Sequence, residues 1–389
     1  MDMKHNQYTV DFQFIKEPVE FDKYTDKEFL SYCLGATLYM PALRDFSQIV
    51  LDGNPNNLTS MVVCFEDAID EDDLDAAEKI AIHNIKRLEI AIEEDMLKKK
   101  DLPLIFFRVR DAAQFEKLIE VIEPKQYELL AGFVFPKFSS RNGEVYFRIL
   151  EKLCEETGEI LYGMPILESE TIAFNETRRA ELDTIYSILN DHKDKVLNVR
   201  IGGTDFSSCF GVRRGIDYSI YDILTVRECL TDILNTFGRN GEYVISGPVW
   251  EYFLANKNMV FEENLKFSLQ SSVLKRKKLI NEAIDGLIRE VVLDKANGIV
   301  GKTVIHPTHI KFVNAMQAVT EEEYDDAMQI LNTSGGVIKS PTNNKMNEIS
   351  PHMSWAKKIE YKARAYGVIK DEMSYMKLIS AGDYSEQYA

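Results

Sequence analysis

Ionisable side chains lie at the ends of most of the apolar, strand-length runs in this 389-residue sequence. Glu66 and Asp67 end the second run, Arg108 lies in the third, Glu168 ends the fifth and Asp205 ends the sixth. Carboxylates that meet at one sheet edge suit a hard divalent cation, because Mg²⁺ takes oxygen ligands and retains several waters. An arginine beside such a cation suits a substrate carboxylate or a developing enolate. These residues indicate metal-assisted chemistry on a small oxyanion, although loops that begin with polar residues explain part of the pattern.

Four further positions belong to the same strand ends. Lys137 lies near the end of the fourth run, and His306 lies near the end of the eighth. Gly202 and Gly203 precede Asp205, where the lack of a side chain would let a substrate or backbone approach closely.

Eight apolar runs must position these residues. They are nearly continuous in Val, Ile, Leu and Phe, as in strands buried on both faces of a parallel sheet. The eight runs are 35–42, 60–67, 103–110, 130–138, 161–169, 197–205, 242–250 and 301–308. Helix-like segments alternate with them, and eight strands in this order predict a closed (β/α)8 TIM barrel. An open, doubly wound sheet is the alternative, because periodicity does not report closure.

The connecting helices show the expected apolar stripe. In the segment 70–98, apolar residues recur every three or four positions and the acidic residues crowd the start, which suits the helix dipole. The connection 251–300 is long enough for two helices. We predict an N-terminal extension at 1–34, a barrel at 35–320 and a C-terminal helical extension or lid at 321–389.

Composition excludes several classes of function. There are 46 basic and 63 acidic residues, and the net charge of −17 argues against binding to nucleic acid or to an anionic membrane. No apolar stretch is long enough for a membrane helix, and the start does not resemble a secretory signal. The five cysteines are scattered without a CxxC pair, which favours reduced thiols and a cytoplasmic protein.

Seven motifs at these same residues resemble, in order, those of the HpcH/HpaI aldolase and citrate lyase β-subunit superfamily. The resemblance covers about residues 35–365 and is greatest to the C–C bond lyase branch associated with tellurite-resistance-type stress operons. The motifs are GATLYMPA, CFEDAIDEDDLDAAEK, FFRVRD, FPKF, PILESET, IGGTDF and GKTVIHPTHIKFVNAM.

The resemblance implies a lyase or aldolase that uses Mg²⁺, with Mn²⁺ as the alternative, and that cleaves or forms a carbon–carbon bond next to a carbonyl through a metal-stabilised enolate. Glu168 and Asp205 match the metal ligands, and Arg108 matches the arginine that holds the substrate carboxylate or enolate. Glu66 and Asp67 match the acidic pair beside the metal.

The remaining matches are less specific. Lys137 corresponds to the lysine of the PK motif, Gly202 and Gly203 lie in the substrate-binding loop, and His306 has a mainly structural role. The implied substrate is a small oxo acid or an acyl thioester, and the implied assembly is a homo-oligomer.

Two departures from the family pattern qualify this implication. Cys64 stands where the family has the first aspartate of DLED, and Asn347 stands where it has the aspartate of GKMID. Asn347 cannot titrate, so Glu348 is the possible acid or base from the tail. These departures leave a second interpretation open. In it the barrel still binds metal and ligand but has lost turnover, and it acts as a partner or sensor in a biosynthetic or stress-response complex. A malate-synthase-like condensing enzyme is a third interpretation.

Other motifs favour structural interpretations. The segment 296–303 has loose P-loop spacing but leads into a strand, whereas a P-loop opens a helix. His306 and His309 have HxxH spacing interrupted by a proline, and a thiol in an apolar strand, such as Cys64, is usually inert. Arg213 and Arg214 fit an anion site or a protein surface equally well, and the KRKK run at 275–278 is typical of a solvated helix face.

Overall fold

Eight parallel strands form the centre of the molecule in a computed structural model that describes residues 3–7, 12–54, 57–253 and 279–381. The strands β1 to β8 span Ala36–Pro41, Ser60–Cys64, Leu104–Arg108, Leu130–Phe135, Tyr162–Leu167, Val199–Ile201, Ile245–Ser246 and Lys302–Val304. They pair in the order β7-β6-β5-β4-β3-β2-β1-β8, and a parallel bridge from Gly247 to Lys302 joins the two ends. The predicted TIM barrel is therefore confirmed, in place of the open sheet.

Helices surround this barrel and continue beyond it. Helices α1 to α14 span Lys27–Tyr32, Phe46–Leu51, Leu74–Glu93, Ala112–Val121, Gly143–Thr157, Glu170–Ala173, Asn175–Asp191, Gly203–Cys209, Leu224–Phe237, Glu282–Ala296, Ile310–Gln317, Glu321–Leu331, Ile349–Tyr366 and Ser374–Ser380. The long predicted helix begins at Leu74, because a 3-10 turn occupies Glu71–Asp73. Its buried residues include Ala77, Ala81 and Ile85, so the predicted apolar stripe faces the barrel.

The core of the barrel explains why the strand sequences are so apolar. Every residue of β2 and β3 is buried, as expected for strands covered on both faces. The ring of Phe107 lies 5.5 Å from that of Phe65 in an edge-to-face contact, and aromatic pairs of this kind fill the space between strands and helices.

A segment near the start of the described chain pairs with the C-terminal extension beside the barrel. Two-residue strands β9 (Val319–Thr320) and β12 (Val368–Ile369) pair in parallel, and the amide of Ile15 donates to the carbonyl of Val368. Strands β10 (Val337–Lys339) and β11 (Met346–Glu348) form an exposed hairpin between α12 and α13. Helices α12 and α13 enclose a small core of their own, separate from the barrel core.

The connection between β7 and β8 is described in part. One of its two predicted helices is α10, whereas the KRKK run at 275–278 lies outside the described residues. None of the described helices combines the length and the apolar character that crossing a bilayer would require.

Candidate active site

A group of charged side chains converges where β2, β3, β4 and β5 end. We call it the cavity cluster, and it consists of Glu66, Asp67, Arg108, Lys137 and Glu168. Arg108 is the last residue of β3, and its Nη2 lies 2.7 Å from Glu66 Oε2, 3.1 Å from Asp67 Oδ2 and 3.2 Å from Glu168 Oε1. Three carboxylates from two strand ends therefore hold one buried guanidinium in a fixed orientation.

Lys137 joins the same cluster through both its side chain and its backbone. Its Nζ lies 2.5 Å from Glu66 Oε1 and 3.4 Å from Asp67 Oδ1. Its amide donates to Glu168 Oε1 at 3.0 Å, and this geometry is reached with a left-handed φ of 45°. Few residues other than glycine adopt this conformation, so the loop after β4 is held in a strained state by the contacts it makes.

Burial dominates the electrostatics of the carboxylates. It raises the pKa of Glu168 to about 8, Arg108 opposes this shift, and Asp205 and Glu66 add to it. Burial also raises the pKa of Glu66, whereas the contacts of Asp67 with Glu66, Arg108 and Lys137 outweigh its burial and lower its pKa. Neighbouring carboxyls whose pKa values are pushed apart are typical of acid–base sites.

For the two cations, burial and the neighbouring charges have opposite effects on the pKa. Burial alone would lower the pKa of Arg108, but the nearby acids, Glu168 first among them, raise it well above its ordinary value. The same balance raises the pKa of Lys137, chiefly through Glu66. Both side chains therefore stay charged.

Gly202 sets the position of the Glu168 carboxylate. A Cβ built on Gly202 would lie 2.1 Å from Glu168 Oε2 and 2.4 Å from Glu168 Cβ, so the carboxylate needs the absence of a side chain at position 202. Glu168 Oε1 accepts the hydrogen bonds from Arg108 Nη2 and from the Lys137 amide. Its other oxygen, Oε2, faces the loop that leads to Asp205.

This arrangement fits a divalent cation held by two carboxylates. Glu168 and Asp205 line one cavity, and their mutual repulsion contributes to the raised pKa of Glu168. Within the described ranges, no three His, Cys, Asp or Glu side chains are grouped as metal ligands. A site with two protein ligands suits Mg²⁺, which keeps several waters and binds through one or two carboxylates.

A cavity of about 410 Å³ opens beside the cavity cluster at the carboxyl ends of the strands. Among the predicted residues, it is lined by Asp67, Arg108, Glu168, Gly202, Gly203 and Asp205. Glu66 lies behind Arg108, and Lys137 borders an adjoining cavity that also contains Glu168 and Asp205. The structure thus brings together all of the site residues predicted from the barrel strands.

Glu348, the candidate acid or base from the tail, has a different place. It ends β11, is exposed, and does not line this cavity of its own chain. Neighbouring Asn347 is buried and donates to Asp326 Oδ1 at 2.8 Å and to Gln329 Oε1 at 3.0 Å. In this chain the asparagine therefore anchors the hairpin to α12.

The motifs with structural interpretations are accounted for in the same way. Cys64 is buried with Sγ 3.7 Å from Arg108 Nη1, and His306 stacks on the ring of Phe253. Arg214 is buried against Glu290, so its interpretation as a surface arginine is wrong, and Lys302 of the P-loop-like segment lies 2.8 Å from Asp294. These two cations are thus engaged by carboxylates of α10.

Several residues that line the cavity were not singled out from the sequence, among them Tyr39, Arg200 and Thr303. Each of these three lies inside a predicted strand, where the sequence analysis assigned no role to individual residues. The available signal was Arg200, a charged residue in the middle of an otherwise apolar run.

Comparison with known proteins supports the same fold. CitE from Mycobacterium tuberculosis, in complex with magnesium, acetoacetate and coenzyme A, is 16% identical over 86% of this chain and 99% of its own, with a TM-score of 0.52. At this identity the similarity shows the fold alone.

Two further structures are less similar. A citrate lyase beta subunit from M. tuberculosis, complexed with oxaloacetate and magnesium, is 16% identical over 73% of this chain and 96% of its own, with a TM-score of 0.44. Haloferax volcanii malate synthase is 11% identical over 72% of this chain and 73% of its own, with a TM-score of 0.48. Both similarities are too weak to support a conclusion about this chain.

No curated protein matches the sequence. A family model does match, over residues 28–368, and it is described as a C–C bond lyase of the TIM-barrel fold. Because this match covers most of the 389 residues, the chain belongs to the C–C bond lyase family of the TIM-barrel fold.

Proposed function

We propose that this protein is a Mg²⁺-dependent lyase or aldolase that cleaves or forms a carbon–carbon bond next to the carbonyl of a small oxo acid. The observation that supports it most is the cavity cluster, in which a buried arginine faces a cavity shared with the carboxylates Glu168 and Asp205. Membership of the C–C bond lyase family supports the same reaction class.

In the proposed cleavage, the bond between the hydroxyl-bearing carbon and the carbon next to the carbonyl breaks. The hydroxyl loses its proton, the bonding electrons pass to the carbonyl-bearing fragment as an enolate, and that enolate later takes up a proton. Mg²⁺ bound by Glu168 and Asp205 would supply Lewis-acid polarisation of the carbonyl oxygen.

The chain's own groups have separate tasks in this reaction. Arg108 donates to the oxygen on which negative charge develops, and its three carboxylates keep it oriented before the substrate binds. Asp67 lines the cavity whereas Glu66 lies behind it, so we assign the transfer of the hydroxyl proton to Asp67. Lys137 maintains the charge of this acidic pair.

The test is exchange of the methyl protons of pyruvate in D₂O with Mg²⁺, followed by NMR, with exchange of the methylene protons of oxaloacetate as a second readout. We expect exchange by the wild type and its loss in Glu168→Gln. Arg108→Met should slow exchange by roughly 100-fold, the usual cost of removing one donor to a developing oxyanion. Glu176→Gln, an exposed substitution on α7, is the matched control and should exchange at the wild-type rate.

Two outcomes would contradict the proposal. Exchange that continues unchanged in Glu168→Gln would remove the metal site from the reaction. Metal-dependent binding of these acids without any exchange would favour the sensor or partner interpretation.

We keep several finer features as predictions. They are a homo-oligomer, a cytoplasmic location, Mn²⁺ as a substitute metal, acyl thioesters as alternative substrates and the association with stress operons.

A further inference from the structure

Arg200 is a buried guanidinium inside the barrel that the proposed reaction does not use. It is the middle residue of β6, and its side chain is 1% exposed. It reaches across to β1 and β8, where Nη1 lies 3.4 Å from Thr37 Oγ1 and Nη2 lies 2.7 Å from Thr303 Oγ1. Its guanidinium lies 5.4 Å from the centre of the Tyr39 ring, and all three of Tyr39, Arg200 and Thr303 line the cavity.

Arg200 differs from the other buried arginines in its partners. Arg108 contacts three carboxylates, Arg178 contacts Asp232 at 3.0 Å, and Arg214 contacts Glu290 and Glu251. Arg200, by contrast, has no carboxylate within ion-pairing distance in the part of the chain that the structure describes. Its Nε lacks a hydrogen-bond partner there, as do the Nε atoms of Arg108 and Arg214, so the missing carboxylate is what sets Arg200 apart.

A buried charge without a counter-ion is expensive for the folded protein. Burial lowers the pKa of Arg200, Tyr39 opposes the shift and the nearby charge of Arg108 adds to it. Buried charges are normally paired, and an apolar residue of similar length would fill this position at lower cost. A purely structural role therefore explains Arg200 poorly, whereas an anion from outside the chain would complete its coordination.

We propose that Arg200 binds a carboxylate group of the substrate inside the barrel, with Thr303 fixing the orientation of its guanidinium. This inference rests on the proposed function for the reaction itself, and it narrows the substrate to a small acid with a free carboxylate. The cavity of about 410 Å³ has room for such an acid. An acyl thioester that presents only neutral oxygens to this wall would leave Arg200 unpaired.

The test measures binding rather than turnover. Isothermal titration calorimetry with Mg²⁺ present compares pyruvate and oxaloacetate with methyl pyruvate, which lacks the free carboxylate. In Arg200→Met we expect at least one of the two acids to bind roughly 10- to 100-fold more weakly, the fold-change that corresponds to losing a charged hydrogen bond. The affinity for methyl pyruvate should stay unchanged. Arg200→Lys keeps the charge without the fork of donors and should give an intermediate loss.

The matched control is Arg178→Met, which removes another buried arginine that does not line the cavity. It should bind both acids as the wild type does, with a lower thermal unfolding midpoint because the buried carbonyls of Ile172 and Ala173 lose their hydrogen-bond donor. Arg200→Met should unfold at or above the wild-type midpoint, because an unpaired charge has been removed. A large drop in its midpoint would indicate a structural role and overturn the proposal.

The binding results and the exchange results separate the two proposals. If neither acid binds to the wild type, or if both bind to Arg200→Met with wild-type affinity, the assignment of Arg200 is wrong whether or not protons exchange. If acids bind through Arg200 but the wild type exchanges no protons, the assignment stands and the proposed lyase function falls.

Discussion

Two groups of buried charges differ in one respect that separates a site from a structural support. The Lys302 cluster, made of Arg214, Glu290, Asp294 and Lys302, joins α10 to the barrel. Its four side chains are at most 1% exposed, and Arg214 also contacts the partly exposed Glu251. In the cavity cluster, by contrast, the side chains of Asp67 and Lys137 are about half exposed. Burial of charge is common to both groups, whereas opening onto the cavity distinguishes the candidate active site.

The largest effect that tests this comparison is loss of stability from Lys302→Met. Lys302 Nζ lies 2.9 Å from Glu290 Oε1 and 2.8 Å from Asp294 Oδ2. Removing it leaves Asp294 buried without its cation and leaves Glu290 with Arg214 alone. We expect the free energy of unfolding to fall by about 3–5 kcal/mol, measured by denaturant titration.

Lys152→Met is the control for that experiment. Lys152 pairs with Glu156 at the surface, where both side chains are exposed, so its removal should move the denaturation midpoint very little. A variant at Lys302 that is as stable as the wild type would mean that the Lys302 cluster does not support the fold.

For Gly202→Ala we expect a smaller loss of stability, together with loss of the stabilisation that Mg²⁺ binding gives. The new Cβ would overlap Glu168 Oε2 and Cβ, so the carboxylate must move. We expect a decrease of about 1–3 kcal/mol in the free energy of unfolding, together with loss of the thermal stabilisation that Mg²⁺ gives the wild type.

Gly215→Ala is the matched control, because its Cβ would lie 3.5 Å from the Tyr218 ring, an ordinary contact. It should keep the wild-type response to Mg²⁺. If Gly202→Ala responds to Mg²⁺ as strongly as this control does, Glu168 is not held in place by the absence of a side chain at position 202.

The smallest expected effect is a change in the pH dependence of stability in Glu66→Gln. Burial, with Asp67 adding to it, raises the folded-state pKa of Glu66 above 4.5. The folded protein then holds this proton more tightly than the unfolded chain does. The contribution of Glu66 to stability therefore decreases as the pH rises from 4.5 through the raised pKa.

The glutamine variant cannot titrate, so the wild type should lose stability relative to it over this pH range. Denaturant titrations of both proteins across the range measure the difference. Parallel pH profiles would show that Glu66 ionises in the folded protein as it does in the unfolded chain.

The barrel was predictable because its strands are buried on both faces, which leaves long apolar runs in the sequence. The site residues that follow the strands were predictable for a related reason. Glu168 and Asp205 stand at the end of apolar segments, where a charge is conspicuous, and the motif resemblance supplied the metal-binding role that we propose for them.

Residues that reach the cavity from within strands were not predictable. Arg200 contacts Thr37 and Thr303, which are distant in sequence and become neighbours only when the ring closes. The role of Asn347 was also hidden, because its partners Asp326 and Gln329 lie about twenty residues earlier on helix α12. Periodicity reports which face of an element is buried but not which elements meet across a barrel.

The left-handed backbone of Lys137 has a consequence for how this position can evolve. Its amide contact to Glu168 persists whatever side chain is present, whereas its contacts to Glu66 and Asp67 need the ammonium group. Glycine or asparagine would be the easiest replacements, because both tolerate this conformation. Relatives with either residue at this position would keep the conformation of the loop but would lack the ammonium group, so the pKa values of the acidic pair would change. A difference at position 137 would therefore indicate changed acid–base chemistry on the same backbone.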